Sequence, residues 1–220
     1  MREQAIHLIE QERIIAIVRG IEADKCLQVA DALYVGGIRL MEVTFNQKEP
    51  ESFSVTSNAI AEISGKYKDS MLVGAGTVTT VEQAELAAQA GARFIISPNV
   101  NTDVIRRTLE LGMVSMPGAM TPTEILTAHL AGADFVKIFP VRELGISYIK
   151  AVRAPISHVK LMAVGGVNEG NVADFLNAGM CGAGVGGNLA NRSWIEAGEF
   201  DKITQTARAL LSAARTAQAS

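Results

Sequence analysis

Thr121-Pro122-Thr123-Glu124-Ile125-Leu126-Thr127-Ala128-His129-Leu130-Ala131-Gly132-Ala133-Asp134-Phe135-Val136-Lys137-Ile138-Phe139-Pro140 (residues 121–140) holds the unit from which the fold is read. Thr121 and Glu124 fit a capping box, and Pro122 takes the first helical position, where its missing N–H costs nothing. Gly132 fits the left-handed residue that closes a helix, and the apolar run Phe135–Pro140 follows as a strand. The order helix, glycine, strand recurs along the chain. Gly37, Gly91, Gly112 and Gly179 each stand shortly before another apolar run, and Thr80 with Gln83 repeats the capping box.

The apolar runs are Ile14–Arg19, Leu40–Phe45, Met71–Thr77, Phe94–Asn99, Val114–Gly118, Phe135–Pro140, Leu161–Gly166 and Ala183–Gly187. They are nearly continuous rather than alternating, as in parallel strands covered on both faces, and the stretches between them are long enough for crossover helices. Eight such units predict an α/β fold, a closed (β/α)8 TIM barrel. Residues 2–12 are expected to form an extra helix before the first strand, and the Ala-rich stretch from Asp201 onward a closing helix. With no linker or low-complexity segment, residues 1–220 read as a single domain.

Hydrophobic residues make up 48% of the 220, enough for a large core. A formal net charge of −3 and the lack of any Lys/Arg-rich run argue against nucleic acid or a polybasic membrane surface as partner. Charges at Arg2, Glu3, Glu10, Glu12 and Arg13 interrupt the N-terminus before a signal-peptide core, and no apolar run reaches membrane-spanning length. A soluble, cytoplasmic protein acting on small molecules is expected. Cys26 and Cys181 belong to no C-x-x-C or Cys/His cluster, so both read as buried apolar side chains. His7, His129 and His158 show no ligand spacing either, and neither a metal nor a cofactor is expected.

In such a barrel the reactive groups lie at the C-terminal strand ends. Lys137 is a lone ammonium inside an apolar strand, where desolvation would free its amine as a nucleophile; a buried salt bridge is the alternative. Glu42, in Leu40-Met41-Glu42-Val43-Thr44-Phe45, is a second lone charge and suits a proton shuttle facing Lys137, unless it pairs with Arg39 or Arg19. Arg19 ends the first strand, where its fork could hold a carboxylate or stand only as a rim charge. Gly165-Gly166 and Gly186-Gly187 close the seventh and eighth strands, the usual phosphate site of this architecture, with simple tight turns as the alternative. Gly74, Gly76 and Thr77 could bring an amide and a hydroxyl toward a keto acid.

Seven segments taken together add a resemblance: Ala16-Ile17-Val18-Arg19-Gly20, Glu42-Val43-Thr44, Val73-Gly74-Ala75-Gly76-Thr77-Val78, Ile96-Ser97-Pro98-Asn99, Met116-Pro117-Gly118, Val136-Lys137-Ile138-Phe139-Pro140 and Ala163-Val164-Gly165-Gly166-Val167. In this order they resemble the 2-keto-3-deoxy-6-phosphogluconate and 4-hydroxy-2-oxoglutarate (KDPG/KHG) aldolases over nearly the whole chain. The resemblance implies a class I aldolase, in which Lys137 forms the Schiff base and Glu42 is the general acid/base. Arg19 and Thr77 then grip the substrate, with Asn46, Pro117 and Val164 beside it, and the two glycine pairs take the phosphate. It also implies cleavage of a phosphorylated 2-keto-3-deoxy sugar acid to pyruvate and glyceraldehyde 3-phosphate, and a homotrimer. Asn46 stands where the gluconate branch usually has an arginine, and Val164 where it has a threonine. Both look more like the 6-phosphogalactonate branch, whose substrate differs in configuration at C4. The epimer stays open with a tilt to galactonate. Cleavage of 4-hydroxy-2-oxoglutarate, a non-covalent phosphosugar isomerase or epimerase using Glu42 as base, and a non-catalytic phosphosugar-binding protein are the alternatives.

Overall fold

The computed structural model describes residues 2–217, so the expected span 1–220 reaches past the described residues at both ends. Its strands are β1 (Ile14–Val18), β2 (Leu40–Thr44), β3 (Leu72–Gly76), β4 (Phe94–Ile96), β5 (Val114–Met116 and Gly118–Ala119), β6 (Val136–Ile138), β7 (Leu161–Val164) and β8 (Gly182–Val185). β5 is in two pieces because Pro117 offers no N–H to the ladder. Its first piece pairs Val114 with Phe94 on β4, and its second pairs Gly118 with Lys137 on β6. Between the pieces, the Pro117 carbonyl accepts the Lys137 N–H at 2.9 Å. β1 in turn pairs in parallel with both β2 and β8. The sheet therefore closes into a barrel, and every pairing in it is parallel.

Continuous apolar strands are required because each one buries both faces. Ile15, Leu40, Leu72, Phe94, Val114, Phe135 and Met162 fill the interior. Their neighbours along the strands, among them Ala16, Met41, Val73 and Val136, pack outward against the helices. The predicted runs are trimmed mainly at their C-terminal ends, where glycine, proline and polar residues leave the ladder and build the barrel mouth.

The helices are α1 (Arg2–Glu12), α2 (Ala23–Val35), α3 (Phe53–Tyr67), α4 (Val81–Gln89), α5 (Thr102–Glu110), α6 (Pro122–Leu130), α7 (Val141–Arg153), α8 (Val172–Asn177), α9 (Arg192–Glu196) and α10 (Phe200–Arg215). Both predicted capping boxes form, at Thr80 with Gln83 and at Thr121 with Glu124. Gly132 has φ 98°, the left-handed geometry that ends α6, and the other four predicted helix-ending glycines share its sign. The expected extra helix α1 closes the N-terminal end of the barrel: Ala5 and Ile9 join the interior cluster. Arg2 pins it there through an ion pair of 2.6 Å with Asp134, which also accepts the Ser115 N–H at 3.0 Å. With that end plugged, access to the interior is from the C-terminal end. No helix among the described residues is long and apolar enough to cross a membrane.

Candidate active site

On β2, Leu40 points inward and Met41 and Val43 outward, so Glu42 and Thr44 face the barrel interior above the apolar floor. On β6, Phe135 faces inward, and Lys137 shares its side two residues on. Glu42 is 1% exposed and Lys137 6%. Space for the carboxylate comes from β3. A Cβ on Gly76 would stand 1.5 Å from Glu42 Oε1, and one on Gly74 would stand 2.3 Å from the Phe94 ring. The small residues of β3 thus let a charged side chain from β2 and a ring from β4 occupy the same narrow barrel.

Burial pushes the Glu42 carboxyl above the usual carboxylate range, against the pull of Lys137 and Arg19. Burial also pushes the Lys137 ammonium below the usual lysine range; Glu42 opposes that shift, and Arg19 adds to it. Each charge feels the other, yet neither takes part in an ion pair among the described residues. The salt-bridge reading of Lys137 therefore fails. Arg39, one alternative partner for Glu42, instead donates to the Tyr34 and Ile38 carbonyls, both at 2.9 Å, and covers the Tyr34 ring. Glu42 Oε2 and Thr44 Oγ1 are buried without a hydrogen-bond partner. Unpaired polar atoms this deep in a barrel mouth suit a polar guest, because leaving them empty-handed costs about 1–3 kcal/mol each. Lys137 Nζ also lies 4.8 Å from the centroid of the Phe139 ring, which forms one wall of the mouth.

The remaining candidates fall around this pair. Arg19 follows β1, exposed at the rim, with its charge felt by both buried groups. Thr77 follows β3 with φ 55°, and its carbonyl accepts from Gln47 Nε2 at 2.7 Å. Val164 ends β7 and meets Ile17 over Gly184, where an added Cβ would lie 3.0 Å from Ile17 and 3.1 Å from Val164. Pro117 holds the Lys137 backbone, as described above. Asn46 turns aside: its Oδ1 accepts the Lys48 N–H at 3.1 Å. It also lines a lateral cavity of about 360 Å³ with Gly20, Glu22, Cys26, Thr44 and Arg192, a space that neither Lys137 nor Glu42 borders.

At the far side of the mouth the glycine pairs are drawn together. Asn188, just after Gly187, donates through Nδ2 to the Val167 carbonyl at 2.9 Å and so ties the loop after β8 to the loop after β7. The Gly165 carbonyl accepts from the Arg142 N–H, the Gly166 carbonyl from Asn171, and the Gly186 carbonyl from the Leu189 and Ala190 N–H groups. None of the N–H groups of Gly165, Gly166, Gly186 and Gly187 meets a protein acceptor among the described residues. Backbone amides left without a protein acceptor suit an anionic group.

Burial raises the Cys26 thiol to about 11 and Cys181 to about 12, so both stay protonated and unreactive at neutral pH. Thr44, Phe139 and Arg142 were not among the sequence candidates. Thr44 was open to discovery, since strand alternation puts it on the same face as Glu42. Phe139 and Arg142 carry no such signal, because their places depend on how the chain turns after β6.

A buried amine with a lowered pKa, facing a carboxylate in the open end of a (β/α)8 barrel, is the equipment of an imine-forming lyase. A family model described as KDPG and KHG aldolase matches residues 6–206, and the chain belongs to that family. The 2-dehydro-3-deoxy-6-phosphogalactonate aldolase of Escherichia coli (strain K12) is 38% identical over 93% of this chain and 95% of its own. The 2-dehydro-3-deoxy-phosphogluconate aldolase of Treponema pallidum (strain Nichols) is 36% identical over 89% and 90%. A crystal structure of the KDPG aldolase from Legionella pneumophila, with pyruvate captured as a covalent carbinolamine, is 26% identical and superposes with a TM-score of 0.84 over 96% of this chain and 98% of that one.

Proposed function

We propose that the protein is a class I aldolase that cleaves a 2-dehydro-3-deoxy-6-phospho sugar acid, gluconate or galactonate, to pyruvate and glyceraldehyde 3-phosphate. The observation that carries this reading is the burial of Lys137 and Glu42 opposite one another without an ion pair. Neutral Lys137 attacks the C2 ketone, and loss of water gives a protonated imine. The imine draws in the electron pair of the C3–C4 bond as it breaks, while the C4 hydroxyl proton passes to Glu42, directly or through one water. The triose phosphate leaves, the enamine takes a proton at C3 from the Glu42 side, and hydrolysis of the imine frees pyruvate and Lys137. Arg19 and Thr77 hold the keto acid, and the four glycine amides hold the phosphate. No step requires a metal or cofactor.

Val164 favours the galactonate epimer, because a methyl replaces a hydroxyl beside the reacting carbons, and Asn46, which turns toward Lys48, leaves the mouth without the cation usual in the gluconate branch. We place the enzyme in the cytoplasm, where phosphorylated acids are retained by their charge, as one domain over residues 1–220. A homotrimer is supported by apolar side chains left open on the α6 side: Met120, Leu126 and Leu130, the last 84% exposed.

Incubation with pyruvate and borohydride followed by peptide mapping tests the reading. A pyruvate adduct on Lys137, lost together with turnover in Lys137→Met, is expected. Turnover of either phosphorylated epimer by that variant would overturn the covalent mechanism, and the ratio of kcat/KM on the two epimers assigns the substrate. Cleavage of 4-hydroxy-2-oxoglutarate as efficient as that of the phosphorylated acids would remove the phosphate from the account.

A further inference from the structure

The four glycine amides are neutral, whereas a phosphate monoester carries close to two negative charges at neutral pH. Hydrogen-bond donors alone leave much of that charge to solvent. A cation stands beside them. Arg142, at the start of α7, donates its backbone N–H to the Gly165 carbonyl at 3.1 Å. Its side chain runs over Gly166: a Cβ there would lie 2.5 Å from Arg142 Cδ and 2.6 Å from Arg142 Cβ. Gly166 also has φ 79°, so the position is closed to ordinary side chains twice over, and the arginine stem takes the vacated space. The guanidinium makes no ion pair among the described residues, in contrast to Arg192 beyond β8, which is bound to Glu196 at 2.7 Å.

We propose that Arg142 is a substrate-specificity residue, whose guanidinium closes over the phosphate held by the amides of Gly165, Gly166, Gly186 and Gly187. The role rests on the aldolase reading and deepens it: Arg142 acts on the distal phosphate and has no part in imine chemistry. Its contribution is uniform binding, the same in the ground and transition states, so it appears in KM rather than in kcat. A planar fork with several donors suits the oxygens of a phosphate.

Steady-state kinetics of Arg142→Met, which keeps the stem over Gly166 and removes the charge, tests this, with Arg142→Lys as the conservative control. In the methionine variant, KM for the phosphorylated acid should rise about tenfold, as should the inhibition constant of inorganic phosphate, since roughly 1.4 kcal/mol of charge-assisted bonding is a factor of ten. Its kcat, its cleavage of 4-hydroxy-2-oxoglutarate and its borohydride trapping of pyruvate should match the wild type, and lysine should restore much of the loss. An unchanged KM for the phosphorylated acid in Arg142→Met overturns the role, as does an equal loss on the unphosphorylated acid. Failure of the wild-type protein to trap pyruvate would instead defeat the aldolase reading, so the two failures are told apart.

Discussion

Lys137 and Glu42 are held in the barrel with opposite perturbations from one cause. Burial disfavours charge on both, so the lysine leans toward the amine and the carboxyl toward the acid. The pH dependence of imine formation follows from this. The reactive fraction is the neutral amine, so the rate of pyruvate trapping should rise with pH and level off below the ordinary lysine range. Glu42 works against this shift, because its negative charge favours the ammonium. In Glu42→Gln the rising limb should therefore move to lower pH, even though the plateau falls by about two to four orders of magnitude with the loss of the proton shuttle. Rapid-quench trapping across the pH range measures both quantities. A limb that stays put or moves upward in Glu42→Gln would show that the two groups do not share a field.

At the scale of elements, β3 shows how one strand is shaped by its neighbours. Leu72-Val73-Gly74-Ala75-Gly76 carries two glycines on its inward face, and each is matched to a side chain from an adjacent strand: Phe94 on β4 and Glu42 on β2. Gly76→Ala should thus injure the site through an element that holds no reacting group. With 1.5 Å between the new Cβ and Oε1, the carboxylate must swing away. We expect kcat to fall about a hundredfold or more, as in the loss of a positioned acid/base, while pyruvate still forms an imine with Lys137. An alanine variant with wild-type kcat would mean that Glu42 works equally well from another rotamer. Much at this scale was legible in the sequence, because helix caps and closing glycines are local devices: Thr80 with Gln83, Thr121 with Glu124, and Gly132 act within one turn of chain. The break in β5 was less so. Pro117 was visible, but its carbonyl serving Lys137 across the β5–β6 gap depends on register, which only the closed sheet sets.

For the whole molecule, the same distinction separates what could be read from what could not. Lone charges in apolar strands, Lys137 and Glu42, announced themselves, since few other environments tolerate them. Arg142 did not, and Asn46 was named only through the family resemblance, its place staying illegible, since both leave the ladder and are placed by loop geometry: Asn46 is drawn to Lys48 and the lateral cavity, and Arg142 is laid over Gly166.

The barrel also divides its labour between its ends. α1 seals the N-terminal end with Ala5 and Ile9, at the opposite pole from Lys137 and the glycine loops. Ile9 is 1% exposed, and its truncation to alanine removes buried methyl groups that the surrounding interior cannot fully close over. Ile9→Ala should therefore cost about 2–5 kcal/mol of stability. In a chain of this size each kcal/mol lowers Tm by about 2–4 °C. Well below the new Tm, kcat and KM should stay within about twofold of wild type, because the truncation leaves the Arg2–Asp134 pair in place and effects at well-separated sites are nearly independent. Calorimetry and kinetics on one preparation measure both. A drop in kcat without a drop in Tm would show that the interior transmits strain from floor to mouth, and the plug would then have to be counted as part of the catalytic machinery.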